Sequence, residues 1–205
     1  MRAMEPSWVD NKSNYQDVAR GLHPGARLVT KDSWFFKVLA IFAAPFVGYR
    51  YWLEHYAIAL GPVQAYPRQW TDLRMGTIIH ECRHSWQCEM LGWLIPIVGW
   101  FFGRTVRTWA GFPLFLILYF VVLLPIGLSV FKCWFELDAD RAKWAWMLIQ
   151  GEGPQIVELR AIDFGKTVNG RGYGFAFPWL GRKWFRWAAK RLISKWQARS
   201  TTPKK

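Results

Sequence analysis

Three residues near the middle of the chain are spaced for metal chemistry: His80, Glu81 and His84. On a helix, residues four apart leave the same face one turn from each other, so His80 and His84 can offer two imidazole nitrogens to one metal ion. Glu81 lies between them, where its carboxylate can reach a metal-bound water. The pattern predicts a zinc hydrolase site. The alternative is a solvated polar helix face on which the histidines bind nothing.

A third ligand is needed to complete such a site, and the carboxylates that follow the longest apolar run can supply it. Glu136 and Asp140 are four apart and share a helix face, whereas Asp138 points elsewhere. Glu136 can therefore ligate the metal while Asp140 holds a histidine through its other ring nitrogen. The alternative interpretation is a helix start whose acids pair with Arg141 and Lys143.

The two motifs together, His80-Glu81-x-x-His84 and Glu136-x-x-Ala139-Asp140, resemble the gluzincin metallopeptidases. The resemblance is to the HtpX-type membrane branch in particular, since two hydrophobic helices also lie between its motifs. It implies a zinc cofactor, a polypeptide substrate and hydrolysis of peptide bonds by a water that zinc activates. It also implies residue roles: His80, His84 and Glu136 as zinc ligands, Glu81 as general base, and Asp140 as support for a ligating histidine.

The resemblance covers roughly residues 51–150. Gln87 extends the first motif to His-Glu-x-x-His-x-x-Gln, which is similar to compact minimal gluzincins, some of them phage-encoded. A strand predicted over residues 51–66, broken at Gly61-Pro62, would correspond to the edge strand on which such enzymes align an extended peptide. Three residues of this segment are candidate oxyanion donors, although packing is the more ordinary role of each: His55, Tyr56 and Tyr66.

The elements that must position these motifs are mostly helical. A helix through residues 75–86 carries the histidines, and helical periodicity returns over residues 132–150. The predicted fold is mostly α (α+β), with a gluzincin-like helical core, a zinc-binding helix, a small edge strand or sheet and an apolar helical hairpin. The predicted organisation is a polar N-terminal arm (1–32), a metallopeptidase domain (33–163) with the hairpin at 90–131, and a basic tail (164–205).

Two uncharged apolar stretches make up the hairpin: 14 residues from Met90 to Gly103 and 24 residues from Thr108 to Phe131. As helix, the second reaches about 36 Å and matches a hydrocarbon core of roughly 30 Å, whereas the first reaches only about 21 Å. Trp109 and Trp134 flank the longer stretch as an interfacial belt would. The hairpin therefore predicts contact with a membrane or with neighbours in a protein assembly.

Composition narrows the range of partners. The 205 residues carry a net charge of +13 and 52% of them are hydrophobic, which excludes intrinsic disorder. The 15 tryptophans exceed what one small core can hide, and they indicate contact with lipid or protein. The 3 cysteines are irregularly spaced, so we expect no disulfide framework and a reducing compartment.

The basic tail predicts a second contact surface. Residues 181–200 combine Lys and Arg with Trp at helical spacing, which is typical of an amphipathic helix on anionic lipid. Nucleic acid is the second candidate partner, since cations and aromatic rings also suit phosphates and stacked bases, and a solvated cationic tail is the third interpretation.

The sequence thus predicts a membrane-associated zinc metallopeptidase. If the apolar hairpin crosses a bilayer, the positive-inside rule places the tail and the zinc site on the cytoplasmic side. The alternative function is non-catalytic: a gluzincin-like structural protein of a membrane or a phage virion, in which the hairpin and the tryptophans pack against neighbours.

Overall fold

The computed structural model of the protein describes residues 12–70, 73–118, 130–168 and 178–201. The chain forms two compact units, Met1–Ile117 and Leu118–Lys205. Across the described residues the structure is mostly helical with a small three-stranded sheet, which confirms the predicted fold class at that level.

The sheet belongs to the first unit and is built from three short strands: β1 (Arg27–Thr30), β2 (Ile58–Leu60) and β3 (Val63–Tyr66). β3 is central, antiparallel to β2 and parallel to β1. Gly61 has a φ of +60° in the turn between β2 and β3, a conformation that favours glycine. The strand predicted over residues 51–66 is thus present as β2 and β3 on either side of the predicted break at Gly61-Pro62, and the prediction is wrong for residues 51–55, which are helical.

The helices of the first unit are α1 (Lys12–Leu22), α2 (Trp34–Val47), α3 (Tyr49–His55), α4 (Met75–Gly92), α5 (Pro96–Phe101) and α6 (Arg104–Leu116). One apolar cluster joins α1, β1, β3 and α4, and it includes Ala19, Leu28, Tyr66 and Ile78. The segment that the sequence marks as a polar arm thus contributes a helix and a strand to this core.

Helices α4 and α6 pack with their backbones in direct contact. A Cβ atom on Gly92 would overlap the carbonyl oxygen of Arg107, and one on Gly111 would overlap the carbonyl oxygen of Cys88. Only glycine leaves room for this approach. Arg104 and Arg107, which separate the two apolar stretches in the sequence, belong to the first turn of α6.

A buried charge cluster fixes the same pair of helices. The Glu89 carboxylate of α4 accepts hydrogen bonds from Arg104 Nε at 2.9 Å and Arg107 Nη2 at 3.1 Å. His23 Nε2 lies 3.4 Å from the same carboxylate, and burial lowers the pKa of His23. The two arginines therefore balance the charge of Glu89, and the cluster holds α6 against α4.

The stretch between α4 and α6 exposes large apolar side chains to solvent. Ile97 is 71% exposed, Trp100 83% and Phe101 82%. Within the described ranges, none of the helices combines the length and the apolar character that a transmembrane span requires. Residues 119–129 of the predicted span lie outside the described residues, so the spanning half of the hairpin stays a prediction.

The second unit contains α7 (Val130–Ile149), α8 (Pro154–Val168) and α9 (Pro178–Thr201). Gly151, with a φ of +88°, ends the first of these helices. The core of the unit includes Trp144, Val157 and Phe185. Helix α9 spans residues 181–200 of the basic tail, and Phe185, Ala188 and Ile193 on one side of it pack into this core.

Candidate metal centre

Helix α4 presents the two motif histidines on one face, as their spacing predicts. His80 Nε2 and His84 Nε2 lie 3.1 Å apart, and the two rings meet at 84°. Two nitrogen ligands at about 2.0–2.1 Å from a tetrahedral zinc ion are themselves about 3.3 Å apart. The pair is therefore already spaced for two positions of one coordination shell.

Gln87 orients His84. Its Oε1 accepts a hydrogen bond from His84 Nδ1 at 2.8 Å, and its side chain is buried at 2% exposure. Because an amide oxygen only accepts, Nδ1 carries the proton and Nε2 keeps its lone pair for a metal. Phe115 of α6 packs edge-on against the His84 ring at 5.8 Å, so an apolar wall limits the movement of that ring.

Glu81 lies one residue from His80 and is buried at 6% exposure. A buried lysine, Lys31, follows β1 nearby and donates hydrogen bonds from Nζ to the carbonyl oxygens of Trp52 at 2.7 Å and Tyr56 at 3.1 Å. The Lys31 ammonium also lies 3.4 Å from the centre of the Trp52 ring. Burial lowers the pKa of Lys31 to about 7, and the charge of Glu81 acts against that shift. Lys31 and Glu81 therefore attract each other in a largely dry environment.

Helix α7 positions the predicted acids. Glu136 is 3% exposed and Asp140 is fully buried, whereas Asp138 is half-buried. The Asp140 carboxylate lies 4.0 Å from Lys143 Nζ, one of the pairings that the alternative interpretation of this helix predicted. Glu136 and Asp140 share a face of α7, so both halves of the second motif have the burial that a ligand and its support need.

His80 and His84 of the first unit and Glu136 of the second unit are side chains of the types that hold a metal ion, and each offers one ligand atom. Two imidazole nitrogens and one carboxylate oxygen are a donor set that suits zinc and leaves a fourth coordination position for water or substrate. The residues present thus fit zinc, the metal that the sequence motif predicts. Their donor atoms are of the right types, and Gln87 orients His84 so that Nε2 is available to the metal.

The three candidate oxyanion donors have other roles or positions. Tyr66 is fully buried on β3 and donates its hydroxyl to Gln64 Oε1 at 3.0 Å. His55 is exposed at the end of α3 and stacks on Tyr51 with ring centres 4.3 Å apart. Tyr56 is half-buried next to the Lys31 site. Tyr66 is therefore a packing residue, which is the more ordinary of the two roles that the sequence analysis considered for it.

The three cysteines are buried. Cys82, Cys88 and Cys133 are all free thiols in buried positions. Burial raises the pKa of Cys82 to about 12, so its sulfur is protonated at neutral pH and is a poor metal ligand.

Sequence reasoning missed two residues of the centre. Gln87 was recognised only as a variation of the motif, although its spacing of three from His84 puts both on one helix face. Lys31 carried no signal, because a lysine is buried only through the partners that tertiary structure brings to it.

Comparison with known proteins supplies no family for this chain. No protein-family model matches it, and no curated protein or solved structure shows a significant match.

Proposed function

We propose that the protein is a zinc-dependent peptidase of the gluzincin type, in which His80, His84 and Glu136 hold the ion. The observation that carries the proposal is the pair of imidazole nitrogens on one face of α4, His80 Nε2 and His84 Nε2, which lie 3.1 Å apart. Glu136 offers a buried carboxylate as the third donor. The proposal rests also on the order of the two sequence motifs, which resembles that of gluzincins.

The donor set favours zinc over the hard cations. Calcium and magnesium take six or more oxygen ligands, whereas this centre offers two nitrogens and one oxygen. Gln87 supports the choice, because its hydrogen bond to Nδ1 makes His84 Nε2 a better electron-pair donor.

Glu81 is the general base of the proposed reaction. Zinc, when bound, supplies Lewis acidity that activates water and polarises the scissile carbonyl. Glu81 accepts a proton from the attacking water and delivers it to the leaving amine as the C–N bond breaks and the new C–O bond forms. Its place beside His80, with the side chain buried, favours this role. Lys31 keeps that carboxylate from standing as an isolated buried charge.

The exposed apolar stretch favours attachment of the peptidase to a membrane surface. Trp93, Ile97, Trp100 and Phe101 are each 46–83% exposed, which is typical of side chains at a lipid or protein interface. The same observation favours the second candidate function, a non-catalytic protein of a membrane or virion assembly. We place the active site on the cytoplasmic side if the hairpin enters a bilayer.

The substitution Glu81→Gln separates the two functions. We expect the variant to keep its zinc and its fold while hydrolysis of fluorescein-labelled casein falls by about 100-fold or more, the usual contribution of a general base. Glu54→Gln makes the same chemical change at an exposed position on α3 and should leave hydrolysis unchanged. A zinc-loaded Glu81→Gln variant as active as the wild type would refute the peptidase mechanism, and a zinc-loaded wild type without activity would favour the structural protein.

A further inference from the structure

A groove in the second unit lies between α7 and α9 and encloses about 300 Å³. One wall comes from α7 through Leu148 and Ile149, and the other comes from α9 through Leu192 and Trp196. Ile149 is 73% exposed, so the apolar lining opens to solvent along one side. The volume is at the lower end of the range for small-molecule sites in proteins.

Two cations stand at the α9 side of this groove. Lys195 and Arg199 are one helical turn apart and line it together with Leu192 and Trp196. The four residues follow the i, i+3, i+4, i+7 spacing of a single helix face. Both cations are exposed, and neither makes an ion pair with any residue in the described parts of the chain. Elsewhere on α9, by contrast, Arg186 and Lys190 pair with Glu158.

We propose that this groove binds a medium-chain fatty carboxylate, with the alkyl chain between α7 and α9 and the carboxylate at Lys195 and Arg199. The apolar walls match a chain that has no polar atoms, and the two exposed cations, which have no ion pair among the described residues, match one negative head group. The available volume accommodates one chain rather than the two of a phospholipid.

Other occupants fit less well. A peptide would bring backbone N–H and C=O groups into the groove, and the side chains that line it include no hydrogen-bond acceptor. A nucleic acid would need several stacking faces in a row, whereas Trp196 is the aromatic residue of the lining.

The test is calorimetric titration of the full chain with hexanoate, octanoate and decanoate below their micelle-forming concentrations. We expect the affinity to rise by about fourfold for each methylene added until the groove is filled. Equal affinities across the series would overturn the proposal, because they would reduce the interaction to attraction between the carboxylate and a protein of charge +13.

Three variants locate the binding. Lys195→Gln with Arg199→Gln should weaken octanoate binding by about tenfold or more. The matched double variant Lys190→Gln with Arg191→Gln, which changes the net charge equally, should stay within about twofold of wild type. Ala145→Phe places a large ring in the groove and should abolish binding with both cations intact. Equal losses in the two double variants, or full binding by Ala145→Phe, would contradict the site.

Two further ligands decide between sources of the anion. Vesicles of phosphatidylglycerol and a ten-residue oligothymidylate should compete poorly with decanoate for the groove. If either binds through Lys195 and Arg199 while decanoate does not, the proposed ligand is wrong. None of these titrations requires zinc, so a negative result leaves the peptidase proposal untouched.

Discussion

The substitution Gln87→Met probes how the centre is built. Methionine has nearly the volume of glutamine but no acceptor, so the buried His84 Nδ1–H loses the partner that now lies at 2.8 Å. A buried donor left unsatisfied costs about 1–3 kcal/mol, and His84 also becomes free to rotate or change tautomer. Losses of this kind of support weaken metal binding by about 10–100-fold, or roughly 1.4–2.7 kcal/mol.

The matched control is Gln64→Met. Gln64 is also fully buried, accepts the Tyr66 hydroxyl at 3.0 Å and donates to Cys82 Sγ at 3.0 Å, but it has no hydrogen bond to a histidine of the centre among the described contacts. Its replacement should lower stability to a degree comparable with Gln87→Met. The zinc affinity of the folded protein should stay within about threefold of wild type.

The assay is competition for zinc against a chromophoric chelator, with thermal unfolding measured in the presence and absence of the ion. Ligands that bind the folded state raise its stability, so Gln87→Met should show a smaller zinc-dependent rise than the wild type or Gln64→Met. The reasoning is refuted if Gln87→Met binds zinc within twofold of wild type, or if both variants lose affinity equally.

Three further predictions concern the first unit. Gly92→Ala should lower the free energy of unfolding by more than about 2 kcal/mol, because its Cβ would overlap the backbone of α6. Gly21→Ala has open space around it in α1 and should raise the free energy of unfolding by about 0.5–1 kcal/mol. Urea denaturation measures both changes. Burial lowers the pKa of Lys31 from 10.5 to about 7, so the cost of burying its charge is full below pH 7 and falls as the pH rises to 10.5. Relative to Lys31→Met, the free energy of unfolding of the wild type should therefore rise by up to about 1.4 kcal/mol per pH unit in that window. Parallel plots of unfolding free energy against pH for the two proteins would contradict this. Glu89→Gln should lower the free energy of unfolding by about 3 kcal/mol because it removes the counter-charge of two partly buried arginines. Glu158→Gln, whose arginine partner is exposed, should lower it by less than about 1 kcal/mol. Equal losses of stability in the two variants would argue against the buried cluster.

The parts of the fold that could be predicted are those encoded by local periodicity. The helix that carries His80 and His84 follows from a pattern repeated every three to four residues, and so does α9. Strand β1 could not be found this way, because it has four residues and gains its place from pairing with β3, more than thirty positions away. The aromatic content of residues 51–55 favoured a strand, and the helical outcome came from packing of Trp52.

In the candidate centre, too, local spacing indicated some residues and tertiary packing determined the others. The spacing within each motif indicated the candidate residues, since helical geometry puts His80 and His84 on one face of α4 and Glu136 and Asp140 on one face of α7. The roles of Gln87, Phe115 and Lys31 depended on which side chains become buried together, and a sequence without its fold does not reveal that.

Zinc content is the most direct test of the central claim. Protein purified without chelators should contain about one zinc ion per chain by mass spectrometry, and His84→Ala and Glu136→Ala should each lose most of it while they remain folded by circular dichroism. The exposed acid substitution Glu54→Ala should keep the full content. A wild type without bound zinc even after incubation with the ion, or a Glu136→Ala variant that binds it as tightly as wild type, would contradict the three-residue centre.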